Sequence, residues 1–242
     1  FWAHPEAEFN ERFGANTGFF SNIFLRTFSP GGIRLHTEPY HELLNDTFNY
    51  TGFAIFCEGS HVVGKPEGLW DMLLMQYCTG RRDHPVWAVA ELDLEKGTDP
   101  VTAGVTQTVL LVREKTKDAY LDALRNGRMY AFTAGMAQRL VIRDYSVISG
   151  NVRAVSGEVV DFVPDIRLSF AMDISGAPLD LEIMIVADGR VIDRRRSNGS
   201  TAFELPLKLP EYTLGYTRIV IYHNSEMVAA TNPIFINSRV AR

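Results

Sequence analysis

The chain has 242 residues, 46% of them hydrophobic and 22% charged, with a formal net charge of −5. That composition is globular and leaves no case for a disordered chain; the acidic balance argues against a general nucleic-acid binder. No apolar run is long enough to cross a bilayer as a helix, and two cysteines, Cys57 and Cys78, make neither a disulfide framework nor zinc-finger spacing.

Phe1-Trp2-Ala3-His4-Pro5 opens the chain, and His4 stands where a strand would end. His36 and His41 lie near Glu38 and Glu42, but Thr37-Glu38-Pro39-Tyr40 before Leu43-Leu44 reads as a loop entering a helix. Tyr50 to Glu58 reads as a buried strand, and His61 follows it in a loop. Gly68 to Cys78 predicts a helix, with apolar residues at 69, 70, 73, 74 and 77. His84 precedes a second buried strand, Pro85 to Ala90, which leads into Glu91-Leu-Asp93-Leu-Glu95. Thr108 to Val112 reads as a third strand. Thr116 to Arg125 predicts a helix, capped by Thr116, with Asp118 in its first turn, Arg125 in its last and Gly127 as its stop. Strand and helix in alternation imply a parallel sheet or barrel.

Near Gly135 the pattern changes. Arg139 to Arg143, Ile166 to Met172, Tyr216 to Tyr222 and Pro233 to Ile236 alternate as strands. Asp188-Gly189 between Leu181–Ala187 and Arg190–Ile192 predicts a hairpin. Arg194-Arg195-Arg196 reads as a solvated strand rather than a phosphate-binding patch. These features predict an α/β part over residues 1–135 and an antiparallel β-sandwich over 136–242.

The last side chains of parallel strands project at the carboxyl rim of a barrel. His4 belongs there, and so do Asp93 and Glu95, whose i, i+2 spacing puts both on one side of a strand. Imidazole with carboxylates suits zinc, manganese or iron. On spacing alone, a His-Pro pair is more often structural, and an Asp-x-Glu more often opens a polar loop. Glu58 and Glu91 are candidates to support the ligands, though Glu58 equally suits a cap or salt bridge and Glu91 a solvated position; His61 could approach substrate, but exposure without function is the favoured reading for it.

An ordered series then matters: Ala3-His4-Pro5; Phe53-Ala-Ile-Phe-Cys-Glu58; Trp70-Asp71 before Leu73-Leu74; Pro85 to Asp93; Thr106-Gln-Thr108-Val-Leu; Ala123 to Tyr130; Asp188-Gly-Arg-Val-Ile; and Thr231-Asn-Pro-Ile-Phe235. This series resembles the later part of PHP domains (polymerase and histidinol phosphatase family) and the sandwich that follows them in two-domain members. The resemblance implies the later portion of a distorted PHP-type β/α barrel plus an Ig-like sandwich. It also implies hydrolysis of a phosphoester by metal-activated water, with His4, Asp93 and Glu95 as ligands. It departs at Glu95, where the family has His. The family's earlier ligands would precede Phe1, so the expectation is an incomplete site, with divalent zinc, manganese or iron held in an intact parent and none required in this piece. The expected partner is an upstream half of the same parent or a second copy of the chain covering open barrel strands; a phosphorylated small molecule suits the site, and nucleic acid does not. The rival reading is a catalytically degenerate scaffold whose sandwich serves binding or assembly.

Overall fold

The computed structural model describes residues 1–6, 9–13, 33–37, 39–56, 58–91, 105–133, 139–176, 178–208 and 210–238. β1 (Phe9–Phe13) and β2 (Ile33–Thr37) form an antiparallel ribbon. A short helix, α1 (Leu43–Asp46), leads to β3 (Gly52–Ala54). β3 pairs in parallel with β4 (Trp87–Val89), and between them runs α2 (Leu69–Cys78). Trp2 adds a third parallel position beside Phe53: Trp2 N donates to Gly52 O at 2.9 Å, and Ala54 N donates to Trp2 O at 2.8 Å. The predicted helix is present because its apolar stripe has somewhere to go: Trp70, Leu73, Leu74 and Cys78 are all buried. The Trp70 indole N–H also finds Val86 O at 2.8 Å.

The parallel reading stops at β4. β5 (Thr106–Leu110) and β6 (Met129–Thr133) are antiparallel neighbours, and α3 (Lys117–Arg125) is an excursion between them. Strand, helix and strand in sequence suggested a parallel crossover; pairing partners, not period, decide direction. The local signals of α3 hold. Thr116 Oγ1 accepts from Ala119 N at 3.2 Å, and Gly127 ends the segment at φ +66°. A Cβ at Gly127 would lie 2.4 Å from the Trp87 ring, so this position serves close packing as well as the turn.

The remaining strands are β7 (Arg139–Ser149), β8 (Val152–Val155), β9 (Val159–Asp161), β10 (Arg167–Ser175), β11 (Leu181–Ala187), β12 (Arg190–Ser197), β13 (Thr201–Pro206), β14 (Leu214–His223), β15 (Glu226–Thr231) and β16 (Ile234–Asn237). They build a four-stranded sheet, β13-β10-β7-β8, and an eight-stranded one running β12-β11-β14-β15-β6-β5, with β16 on β14 and β9 on β16. β6 pairs with β15, so this larger sheet takes its strands from both sides of residue 135. The Asp188-Gly189 turn closes β11 onto β12 with φ +48° and +80°, the left-handed pair that a tight hairpin needs. Along β12, Arg194 meets Glu182 at 3.3 Å, and Arg195 meets Asp193 at 2.8 Å while lying 3.9 Å over the Phe203 ring. The three-arginine run is thus a surface strand.

The eight-stranded sheet is the middle layer. On one face, Ile219 and Ile221 of β14, Tyr130 and Phe132 of β6, and Ile234 and Ile236 of β16 pack against β7 and β10. On the other, Tyr216 and Val220, Met129 and Ala131, and Phe235 pack against α2, β3 and β4. Period-two alternation sends each strand's neighbours into two different cores. Each fully buried Leu, Ile, Val or Phe adds about 1.5–3 kcal/mol of transfer free energy, so both cores are substantial. Phe53, Ile55, Val86 and Trp87 are among the buried residues, covered from within the chain.

One polar cluster crosses the second core. Arg218 of β14 is fully buried; its Nε donates to Asp71 Oδ1 at 2.6 Å and its Nη2 to Asp71 Oδ2 at 2.7 Å. Tyr216 Oη donates to the same Oδ1 at 2.7 Å, and the guanidinium lies 4.4 Å from the Trp70 ring. Burial works against the Arg218 charge, and the Asp71 carboxylate overrides it, leaving Arg218 above its ordinary range. Asp71, part of the Trp-Asp pair in the family resemblance, has a structural task here.

Candidate functional site

Three adjacent chain segments run parallel through Trp2, β3 and β4, so their carboxyl ends share one rim. Ligand sites of open α/β layers gather at such rims. Just past those ends stand His4, Glu58 and Glu91. His4 Nε2 is 3.3 Å from Glu91 Oε1, and His4 Nδ1 is 3.5 Å from Glu58 Oε2. The imidazole thus sits between two carboxylates, with its side chain 19% exposed. Both contacts are long for tight hydrogen bonds. His4 and Glu58 both take left-handed backbone, at φ +49° and +60°. For a non-glycine residue that conformation is uncommon, and such strain gathers where side-chain aim matters.

Glu6 holds this rim together. Its Oε1 accepts from Val62 N at 2.8 Å and Val63 N at 2.7 Å, and its Oε2 accepts from His61 N at 3.1 Å. Its own N–H donates to Glu58 O at 2.8 Å. The segment that bears His4 is therefore pinned to the loop that bears Glu58. Tyr40 comes in from outside the parallel layer. Its N–H donates to Pro5 O at 3.1 Å, and its ring centroid is 5.4 Å from that of Trp2. Burial, then the nearby Glu91 carboxylate, raises the Tyr40 phenol above its ordinary pKa, so it stays a neutral hydroxyl beside the site.

Of the residues singled out from sequence, His4, Glu58 and Glu91 come together. Asp93, Glu95 and the Cys57 position lie outside the described residues. His61 is exposed, and its backbone N–H is taken by Glu6. His84 stands at the amino end of β4, away from the rim. Cys78 is buried, and burial, then Asp188, pushes its thiol up to about 12, which makes it inert. Among the described residues no group of three or more His, Cys, Asp or Glu is arranged to hold a metal ion. Nor, among them, is any helix long and apolar enough to cross a membrane. Sequence reasoning missed Glu6 and Tyr40. The signal for Glu6 was present, a carboxylate two residues beyond His4; Tyr40 carried none.

No protein-family model matches the chain, and no curated protein matches it. Among solved structures, the crystal structure of an engineered protein is 11% identical in an alignment covering 43% of this chain and 21% of that one, with a TM-score of 0.26.

Proposed function

We propose that the chain carries part of a PHP-like metal-dependent phosphoesterase site, at the rim where His4, Glu58 and Glu91 meet, with an Ig-like sandwich behind it. The observation that supports this is the separation of two donors. Ligands sharing one tetrahedral ion at bonds of about 2.0–2.1 Å stand about 3.3–3.4 Å apart. His4 Nε2 and Glu91 Oε1 are 3.3 Å apart. The donor types also fit zinc, manganese or iron.

In this reading His4 and Glu91 supply one edge of the ligand set and Asp93 and Glu95 its other late members, and the set stays partial, as the resemblance implies. Glu58 stands 3.5 Å from the other imidazole nitrogen, on the side where a carboxylate orients a metal-bound histidine once the contact tightens. A bound divalent ion would polarise a phosphoryl oxygen and lower the pKa of a coordinated water. Tyr40 packs its ring on Trp2 beside the segment that carries His4. Glu6 sets the distance between the strand ends.

The experiment is hydrolysis of bis(p-nitrophenyl) phosphate by the chain with Mn²⁺ or Zn²⁺ added, alongside calorimetric metal titration. Weak binding of the ion that is lost in both His4→Ala and Asp93→Ala, with turnover by this piece near background, supports the proposal of a partial site. Metal binding indifferent to both substitutions overturns it. A second reading, the degenerate scaffold, draws on Glu95 standing where the resemblance has His. It gains if a full-length parent holds no metal.

A further inference from the structure

The parallel strands have another end, and a second concavity lies there. A cleft of about 450 Å³ opens between the loop before β3, the loop before β4, the end of α3 and the segment joining β8 to β9. That size suits a small molecule, for which pockets run from about 300 to 1,000 Å³. It sits at the amino ends of β3 and β4, opposite His4, and owes nothing to the phosphoesterase reading.

Its rim carries Phe48, 46% exposed. An exposed aromatic ring is ordinarily loose, but this one is propped from behind. The Arg82 guanidinium lies 4.6 Å from the Phe48 centroid and 5.4 Å from that of Tyr50. Arg82 is only 4% exposed, and its nitrogens donate to Leu44 O at 2.8 Å, Asn45 O at 3.0 Å, Thr47 O at 2.9 Å and Gln76 Oε1 at 2.7 Å. Tyr50 Oη donates to Leu44 O at 2.7 Å. The two rings are therefore a fixed platform, and pre-organisation lowers the cost of binding. Around it stand Asn49, Asp83, His84 and Arg125, all exposed lining residues. Among the described residues none of these four side chains has a hydrogen-bond or ion-pair partner.

We propose that this cleft binds a neutral saccharide. Arg82 already occupies the π system of both rings, which disfavours a cationic ligand. An apolar ligand would strip water from four polar side chains and give nothing back. Asp83 opposes an anion and Arg125 a cation, so the lining is balanced in charge. A sugar ring answers each element: its C–H face rests on Phe48, and its hydroxyls exchange hydrogen bonds with Asp83, Asn49 and Arg125 in both directions.

The test is calorimetry and ligand-observed NMR with glucose, galactose, maltose and cellobiose, with adenosine and tetramethylammonium as comparators. At least one sugar is expected to saturate the chain, and to bind at least about tenfold more weakly to Asp83→Ala and to Phe48→Ala. Asp83 is exposed and has no partner to lose, so Asp83→Ala is expected to keep the parent's melting temperature. His4→Ala leaves sugar binding unchanged, which separates this cleft from the opposite rim. Saturation by none of the sugars, binding insensitive to both cleft substitutions, or tighter binding of either comparator overturns the proposal.

Discussion

Three backbone amides, from His61, Val62 and Val63, converge on the Glu6 carboxylate. Hydrogen bonds to a charged acceptor are stronger than neutral ones. Glu6→Ala is expected to cost about 2 kcal/mol in urea unfolding, and Glu6→Gln, which keeps one acceptor, less. An unchanged midpoint in Glu6→Ala would remove Glu6 from the account of the rim. Asp188 gives a pH-dependent case. Burial raises its carboxyl above the ordinary range, and the amide bonds from Tyr216 and Glu211 offset only part of that. The folded chain therefore keeps this proton to a higher pH than the unfolded chain. The associated stability is complete below the unfolded pKa, near 3.9, and is lost as pH rises through the folded value. Asp188→Asn keeps the acceptor for Tyr216 N and tolerates φ +48°, yet never ionises. Its melting temperature should exceed the parent's at pH 7, and the gap should close on acidification to about pH 4; a gap that widens toward acid would refute the assignment. These residues also separate what is local from what is not. Asp188-Gly189 was legible as a turn because its geometry is set by two adjacent residues. Glu6 and Tyr40 gain their meaning from partners more than thirty residues away, and no spacing rule reaches that far.

At the scale of elements, among the described residues the edge of β4 away from β3 meets side chains rather than a strand. Asn232 Oδ1 accepts from Ala88 N at 2.8 Å, and its Nδ2 donates to Ala88 O at 2.9 Å. Two residues on, Thr108 Oγ1 bonds Ala90 N at 2.8 Å and Ala90 O at 3.0 Å. Side chains thus imitate a neighbouring strand at alternate positions and blunt an edge that would otherwise recruit another chain. Asn232→Ala leaves a buried amide and carbonyl unpaired, and is expected to cost about 3 kcal/mol by chemical denaturation. The Asp71–Arg218 pair joins α2 to β14 in the same spirit. Removing either partner alone strands a buried charge, so Asp71→Ala or Arg218→Ala is expected to cost about 3–5 kcal/mol. Asp71→Leu with Arg218→Met should lose less than the sum of its singles, and additive losses would mean that the pair does not couple. Helices α2 and α3 were legible from apolar spacing and caps. The direction of β5 against β6 was not, because an intervening helix looks the same in a parallel crossover and in a long excursion within a hairpin.

For the whole molecule, the eight-stranded sheet serves two cores at once. Unfolding is therefore expected to be one cooperative transition by both calorimetry and circular dichroism; two resolved transitions would mean that the layers are independent. A polypeptide of residues 136–242 would lack β5 and β6, bare the edge of β15, and expose Tyr216, Val220 and Phe235, which α2 and β4 now cover. It should aggregate or bind hydrophobic dye. A monomeric, dye-silent fragment would refute that. The composition change near Gly135 was legible because it marks where helical periodicity ends, but where one sheet stops recruiting strands is a matter of pairing, which composition does not encode. β14 also bears on ancestry. A strand with apolar side chains on both faces has no surface left to surrender, so a gene rearrangement that carried the sandwich elsewhere on its own would arrive with one raw side. Any lineage that exchanges its partners must move both layers together, or first repaint one face of that sheet with polar residues.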